Sequence, residues 1–169
     1  MSRDLPFPIS FDVPTGWALL SPDACGQPHA AYVLVRQNTT TEAVTTNIVV
    51  SGLVLPTGQA DVDALASQYL SNLQSHYAVT VLKNDILNGA TTPEAAQLLE
   101  IDYQRGEESV PLKQIHIINT LPDTRDPEAA AVLQLLMTCP ADTFAQTGPE
   151  FQQFLTTITP TSSLSNHAL

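Results

Sequence analysis

The chain has 169 residues, 43% of them hydrophobic, and sets six Lys and Arg against seventeen Asp and Glu for a formal charge of -11. That length and apolar content suit one domain whose core needs no disulfide or metal staple. The acidity repels phosphate backbones and anionic membranes, so no nucleic acid is expected as a partner. No apolar run reaches the roughly 18 residues of a spanning helix, and direct membrane insertion is not expected either.

MSRDLPFP carries an acid and two prolines where a secretory leader has a basic start and an unbroken apolar run, which points to a cytoplasmic location. Ile9, Phe11 and Val13 then alternate with Ser10 and Asp12, the period of a strand with one buried face. Pro14-Thr15-Gly16 breaks it, and Trp17, Leu19 and Leu20 follow as a short apolar patch. Residues 31–36 and 46–55 read as two further strands, the second rich in β-branched residues with a glycine, Gly52, that would mark a bulge.

From Pro56 to Tyr77 the period changes. Val62, Leu65, Ala66, Tyr69, Leu70, Leu73 and Tyr77 form one stripe of an amphipathic helix, with Asp61 as its N-cap. Residues 79–87, 95–104 and 110–121 read as an antiparallel run, with Asn88-Gly89 as a turn and 105–109 as a hairpin loop. Residues 130–138 are almost wholly apolar, as a central strand covered on both faces would be. Thr147-Gly148-Pro149-Glu150 matches a capping box ahead of Phe151, Phe154, Leu155 and Ile158. Residues 1–158 therefore read as a single α+β domain, an antiparallel sheet with helices packed on it, and 159–169 as a flexible tail.

Motifs that carry chemistry are sparse. There is no Walker loop, dinucleotide fingerprint or Gly-x-Ser-x-Gly elbow, and no cofactor is implied. Cys25 and His29, four apart in a loop, are two donors where structural zinc takes four, so no metal is expected. Cys25 and Cys139 read as two separate reduced thiols, with a bridge open to them only in an oxidising compartment, and Cys139 reads as a packed core atom. In the hairpin, Glu100 and Asp102 share one face of their strand, and Gln114 and His116 share one face of the next. If those faces coincide, Glu100, Asp102, Gln114 and His116 form a polar cluster in which carboxylates tune an imidazole; the bland alternative is the solvated face of a half-buried sheet. No catalytic set is assembled by spacing. Trp17 reads as a packing residue that closes one edge of the fold, with a ligand-stacking pocket as the alternative.

FPISFDVPTGW at the start, TTNIVVSG ahead of the long amphipathic helix, and a last apolar strand followed by FQQFLTTI together resemble the PsbP-like α/β/α sandwich superfamily. The nearest resemblance is to small bacterial proteins, the actinobacterial LpqN-like group and the chaperones of type VI secretion effectors, over most of residues 7–158. What the resemblance implies is an antiparallel sheet of about six or seven strands with helices on both faces, and binding rather than catalysis. The superfamily includes a Ran-binding import factor, a photosystem extrinsic subunit and secretion chaperones, and it transfers no active-site residues. The chain departs from the lipoprotein branch in having no lipid-attachment cysteine near its start. The expectation is an adaptor or chaperone-like module with a protein partner. The alternative is a small-molecule binder or weak hydrolase with a pocket near Trp17 and the Glu100, Asp102, His116 face, and homodimerisation through the sheet is a third reading.

Overall fold

A strand that is apolar at nearly every position has to be covered on both faces, and residues 129–140 are such a strand. In the computed structural model, which describes residues 4–37, 44–87, 93–123 and 125–160, they form the middle of a seven-stranded antiparallel sheet. The elements in chain order are β1 (Ile9–Ser10), β2 (Trp17–Leu20), β3 (Tyr32–Arg36), β4 (Asn47–Pro56), α1 (Val62–Gln74), β5 (Ala78–Leu87), β6 (Glu94–Arg105), β7 (Glu108–Pro122), β8 (Ala129–Pro140), α2 (Phe144–Thr157) and β9 (Thr159–Pro160). Across the sheet the order is β2-β3-β4-β8-β7-β6-β5, so β8 is central and β2 and β5 are the edges. β1 and β9 pair with each other as a separate two-stranded ribbon.

The period of two along β8 separates two cores. Val132 lies on one face and packs with Val62 and Ala66 of α1 and with Ala95 and Ile118. Leu133, Leu135, Met137 and Cys139 lie on the other and pack with Phe151 and Phe154 of α2, Ile48, Val50 and Leu34. The helices thus take opposite faces, and the architecture is the expected α/β/α sandwich. α1 begins where its cap predicts: Asp61 Oδ2 accepts from the Ala64 backbone N–H at 3.2 Å.

Five local expectations are corrected. The strand expected over Ile9–Val13 stops at Ser10, and Val13 is exposed rather than in the core, because among the described residues that segment pairs only with β9. The patch at Trp17 is a strand, β2, bonded to β3. Thr147 and Glu150 do not cap a helix: α2 starts at Phe144, directly after a 3-10 turn at Ala141–Thr143, and Pro149 lies inside it. Pro149 removes one intrahelical bond, while Thr147, Gly148, Phe151 and Phe154 are buried against the sheet. Gly52 makes no bulge, since β4 pairs with β8 without a register shift. Thr159 and Pro160, assigned to the tail by composition, form β9; residues 161–169 lie outside the described residues, as do Asn88 and Gly89 of the expected turn.

Gly52 has a different role. A Cβ there would lie 2.7 Å from Pro6 Cδ and 3.0 Å from the Val132 carbonyl oxygen, so the glycine lets the N-terminal segment cross β4. Gly52→Ala is expected to lower unfolding free energy by about 1–3 kcal/mol through overpacking, measured by denaturant titration. Gly58→Ala, with nothing within 4 Å of its Cβ position, is the neutral control; equal effects at the two sites would contradict the packing account.

Candidate functional site

The expected cluster of Glu100, Asp102, Gln114 and His116 is divided by the sheet. β6 and β7 are joined by a two-residue turn in which Gly106 has φ 64, not by a five-residue loop. The register therefore pairs Gln97 with His116, Leu99 with Gln114, Glu100 with Lys113 and Asp102 with Pro111. Directly opposed residues share a face, so Gln114 and His116 face α1 while Glu100 and Asp102 face the side that carries α2. A one-residue change in register exchanges faces, and this one separates the imidazole from the carboxylates.

His116 sits beneath α1, 1% exposed, with its ring 4.1 Å from that of Tyr69. Gln97 Nε2 donates to the Ala66 carbonyl at 3.1 Å and to His116 Nδ1 at 3.1 Å, which uses both of its protons. His116 Nδ1 is thereby the acceptor, and Nε2–H donates to Gln134 Oε1 at 3.0 Å. Beside it the Tyr69 hydroxyl donates to Gln114 Oε1 at 2.7 Å, and Gln114 Nε2 donates to the Thr138 hydroxyl at 3.0 Å. Burial lowers the His116 pKa, partly offset by the Gln134 hydrogen bond, and burial pushes Tyr69 up to about 12. The imidazole is neutral with both nitrogens engaged. What the arrangement does is tie one helix to three strands.

The second polar assembly joins Trp17 to α2. The Trp17 indole N–H donates to Glu150 Oε1 at 2.8 Å, and Arg36 Nε and Nη2 donate to the same carboxylate at 3.1 and 3.2 Å. Trp17 is cross-strand neighbour of Arg36 and is 5% exposed. Burial alone would raise the Glu150 pKa, but the Arg36 guanidinium and the indole N–H outweigh it and hold the carboxyl below its usual range. Trp17 is wall, with its one polar edge satisfied.

Several surface clefts are lined by described residues. Glu100 and Asp102 line one of about 370 Å³ with Ala78, Thr80, Ser109 and Pro111. A cleft of about 530 Å³ runs between residues 12–15 and Glu150, Gln153 and Thr157 of α2. One of about 360 Å³ exposes Leu98, Ile115 and Leu155, and one of about 310 Å³ exposes Leu20, Cys25, Val35 and Val49. Cys25 and Cys139 are both free, on opposite faces of the sheet, and burial pushes the Cys139 thiol up to about 11 against smaller pulls from Thr143 and Thr147. Among the described residues no group of three or more His, Cys, Asp and Glu is placed to hold a metal ion, and no helix is long and apolar enough to cross a membrane. Spacing in the sequence missed Gln97, Gln134, Arg36 and the true role of Glu150. The available signal was a glutamine at an inward position of an apolar strand, which has to be hydrogen-bonded when buried.

No family model matches the chain, and no curated protein matches it by sequence. Among solved structures it is similar to LpqN of Mycobacterium tuberculosis, involved in cell envelope biogenesis, at 17% identity over 94% of this chain and 87% of that one, with a TM-score of 0.65. It is similar to cyanobacterial PsbP (CyanoP) of Synechocystis sp. PCC 6803 at 10% identity over 90% and 86% of the two chains, TM-score 0.61. The Ran-binding protein Mog1p of Saccharomyces cerevisiae aligns at 12% identity over 90% and 89%, TM-score 0.50. At such identities the likeness is one of fold. The domain has the PsbP-like sandwich, with LpqN among its structural neighbours.

The two assemblies make separable predictions. The folded-state pKa of His116 is depressed below its ordinary 6.5, so the unfolded chain takes up that proton first. Stability is full above about pH 6.5 and falls as pH drops below it. Thermal melts should show this loss in the wild type, with a smaller slope over that window in His116→Gln. A slope unchanged by the substitution would contradict a neutral buried imidazole. Trp17→Ala should cost about 3–5 kcal/mol and return the Glu150 titration, followed by NMR, toward the ordinary carboxylate range; a near-neutral effect on stability would contradict the wall.

Proposed function

We propose that the domain is a non-catalytic interaction module, an adaptor or chaperone-like partner of another protein. The carrying observation is where its apolar side chains stay exposed. The interior is complete on both faces of β8, yet Leu19 and Leu20 on one sheet edge and Val81 and Leu82 on the other are more than 40% exposed, with Tyr77 beside them at 39%. Apolar groups gathered at unpaired strand edges are what a partner chain covers. The same fold in a Ran-binding protein and in a protein of cell envelope biogenesis supports the reading by analogy. The two free thiols fit a reducing compartment and the cytoplasmic location.

The alternative, a small-molecule binder or weak hydrolase, draws on the cleft of about 530 Å³ beside Glu150. It has no shared site for Glu100, Asp102 and His116, which the register places on opposite faces.

Affinity purification of the tagged protein from its own cells tests the proposal. A partner should be enriched about tenfold relative to a variant with Leu19→Ser, Leu20→Ser, Tyr77→Ser, Val81→Ser and Leu82→Ser, whose melting curve confirms that it is folded. No protein distinguishing the two baits would contradict the reading. Light scattering at the 18.2 kDa monomer mass would dismiss a homodimer.

A further inference from the structure

The two open edges of the sheet differ in what flanks them. β2 is four residues long, with Leu19 on one face and Leu20 on the other. β5 is ten residues long, and among the described residues no strand pairs with its outer side. Its two halves are unlike. A bulge at Leu82 interrupts the pairing with β6, and beyond it Lys83 and Asp85 form an exposed ion pair at 3.3 Å; bulges and edge charges are devices that discourage a further strand. The half from Ala78 to Val81 carries neither.

That half is also chemically two-sided. On the α1 face lie Val79 and Val81, continued by Tyr77 and Tyr103, whose rings are 6.2 Å apart. On the other face lie Ala78 and Thr80, small enough to leave the carboxylates of Glu100 and Asp102 in view across them, in a cleft of about 370 Å³. The Ser109 hydroxyl and Gln104 amide both donate to Asp102, which presents the charge without neutralising it. A strand added outside β5 would lie two strand spacings from β6, about 10 Å. Only Lys or Arg, among side chains that seek a carboxylate, spans that distance.

We infer that the Ala78–Val81 edge of β5, with the Tyr77 ring beside it, is a β-augmentation site for an extended protein segment of alternating cationic and apolar residues. The apolar side chains of that segment cover Tyr77, Val79, Val81 and Tyr103, its Lys or Arg side chains reach Glu100 and Asp102, and its backbone pairs with the outer N–H and C=O groups of β5. The net charge of -11 steers such a segment toward the domain. This deepens the proposed function and rests on it.

The test uses the full chain and three capped, fluorescein-labelled octapeptides: alternating Arg and Val, four Arg followed by four Val, and alternating Glu and Val. Fluorescence anisotropy should show the alternating Arg peptide binding at least about tenfold more tightly than either other. Glu100→Gln with Asp102→Asn, or Val81→Lys alone, should weaken it about tenfold, while Val54→Lys, exposed on β4 away from this edge, leaves it unchanged. Amide shifts on titration should centre on residues 78–81. Equal binding of the two Arg peptides would overturn the proposal, because charge alone would then explain it, and so would shifts centred elsewhere. A cellular partner that Val81→Lys still captures would overturn the β5 assignment and leave the interaction reading standing. Failure of the wild type to capture any partner removes the interaction reading itself.

Discussion

The structure depends on one strand being buried on both sides. β8 has Val132 under α1 and Leu135 and Met137 under α2, all at most 2% exposed. A single such strand at the centre of a sheet requires a layer on each face, and a chain with two long helices has just enough cover. The helices are offset. α1 lies over β5, β6 and β7, and the opposite flank of its face keeps a cleft at Leu20, Val35 and Val49. α2 lies over β8, and its face stays open at Leu98 on β6 and at Glu100 and Asp102. Binding surface is thus a product of the same constraint: two helices cannot cover both faces of seven strands.

Polar groups then hold the layers in one register. A buried hydrogen bond contributes only about 1 kcal/mol net, yet leaving one partner unsatisfied costs about 1–3 kcal/mol. Gln97, His116, Gln134, Gln114 and Thr138 are satisfied only when α1 presents Ala66 and Tyr69 at this height on the sheet. Apolar contacts tolerate sliding; this network does not. The Glu150 carboxylate fixes α2 in the same way, because one rotamer meets both the indole of Trp17 and the guanidinium of Arg36. His116 therefore has the residue type of a catalytic base and the environment of a structural clamp.

Much of the fold was legible in the residues because it rested on long periodic segments. The Val62–Leu73 stripe with its Asp61 cap and the apolar run of β8 each carry a signal over ten or so residues. What failed turned on single residues or on pairing. Thr147 and Glu150 match a capping box, but burial of Thr147 and Phe151 on the sheet extends the helix upstream through Pro149. Ile9, Phe11 and Val13 alternate like a strand, but among the described residues only Ile9 and Ser10 of that segment find a strand partner. The candidate cluster depended on whether the β6–β7 turn has an odd or an even number of residues, and two residues send Gln114 and His116 to one face and Glu100 and Asp102 to the other. Local composition does not encode that parity strongly when Gly106 can serve either turn.

A sandwich locked at its central strand and left available at its edges is the core of the account, and native-state hydrogen exchange measures that directly. The account predicts that β8 amides exchange only through global unfolding, while the outward amides of residues 78–81 exchange faster by several orders of magnitude, since among the described residues no strand pairs with that edge. Outward amides at 78–81 as protected as those of β8 would contradict it, because the β5 edge would then already be covered.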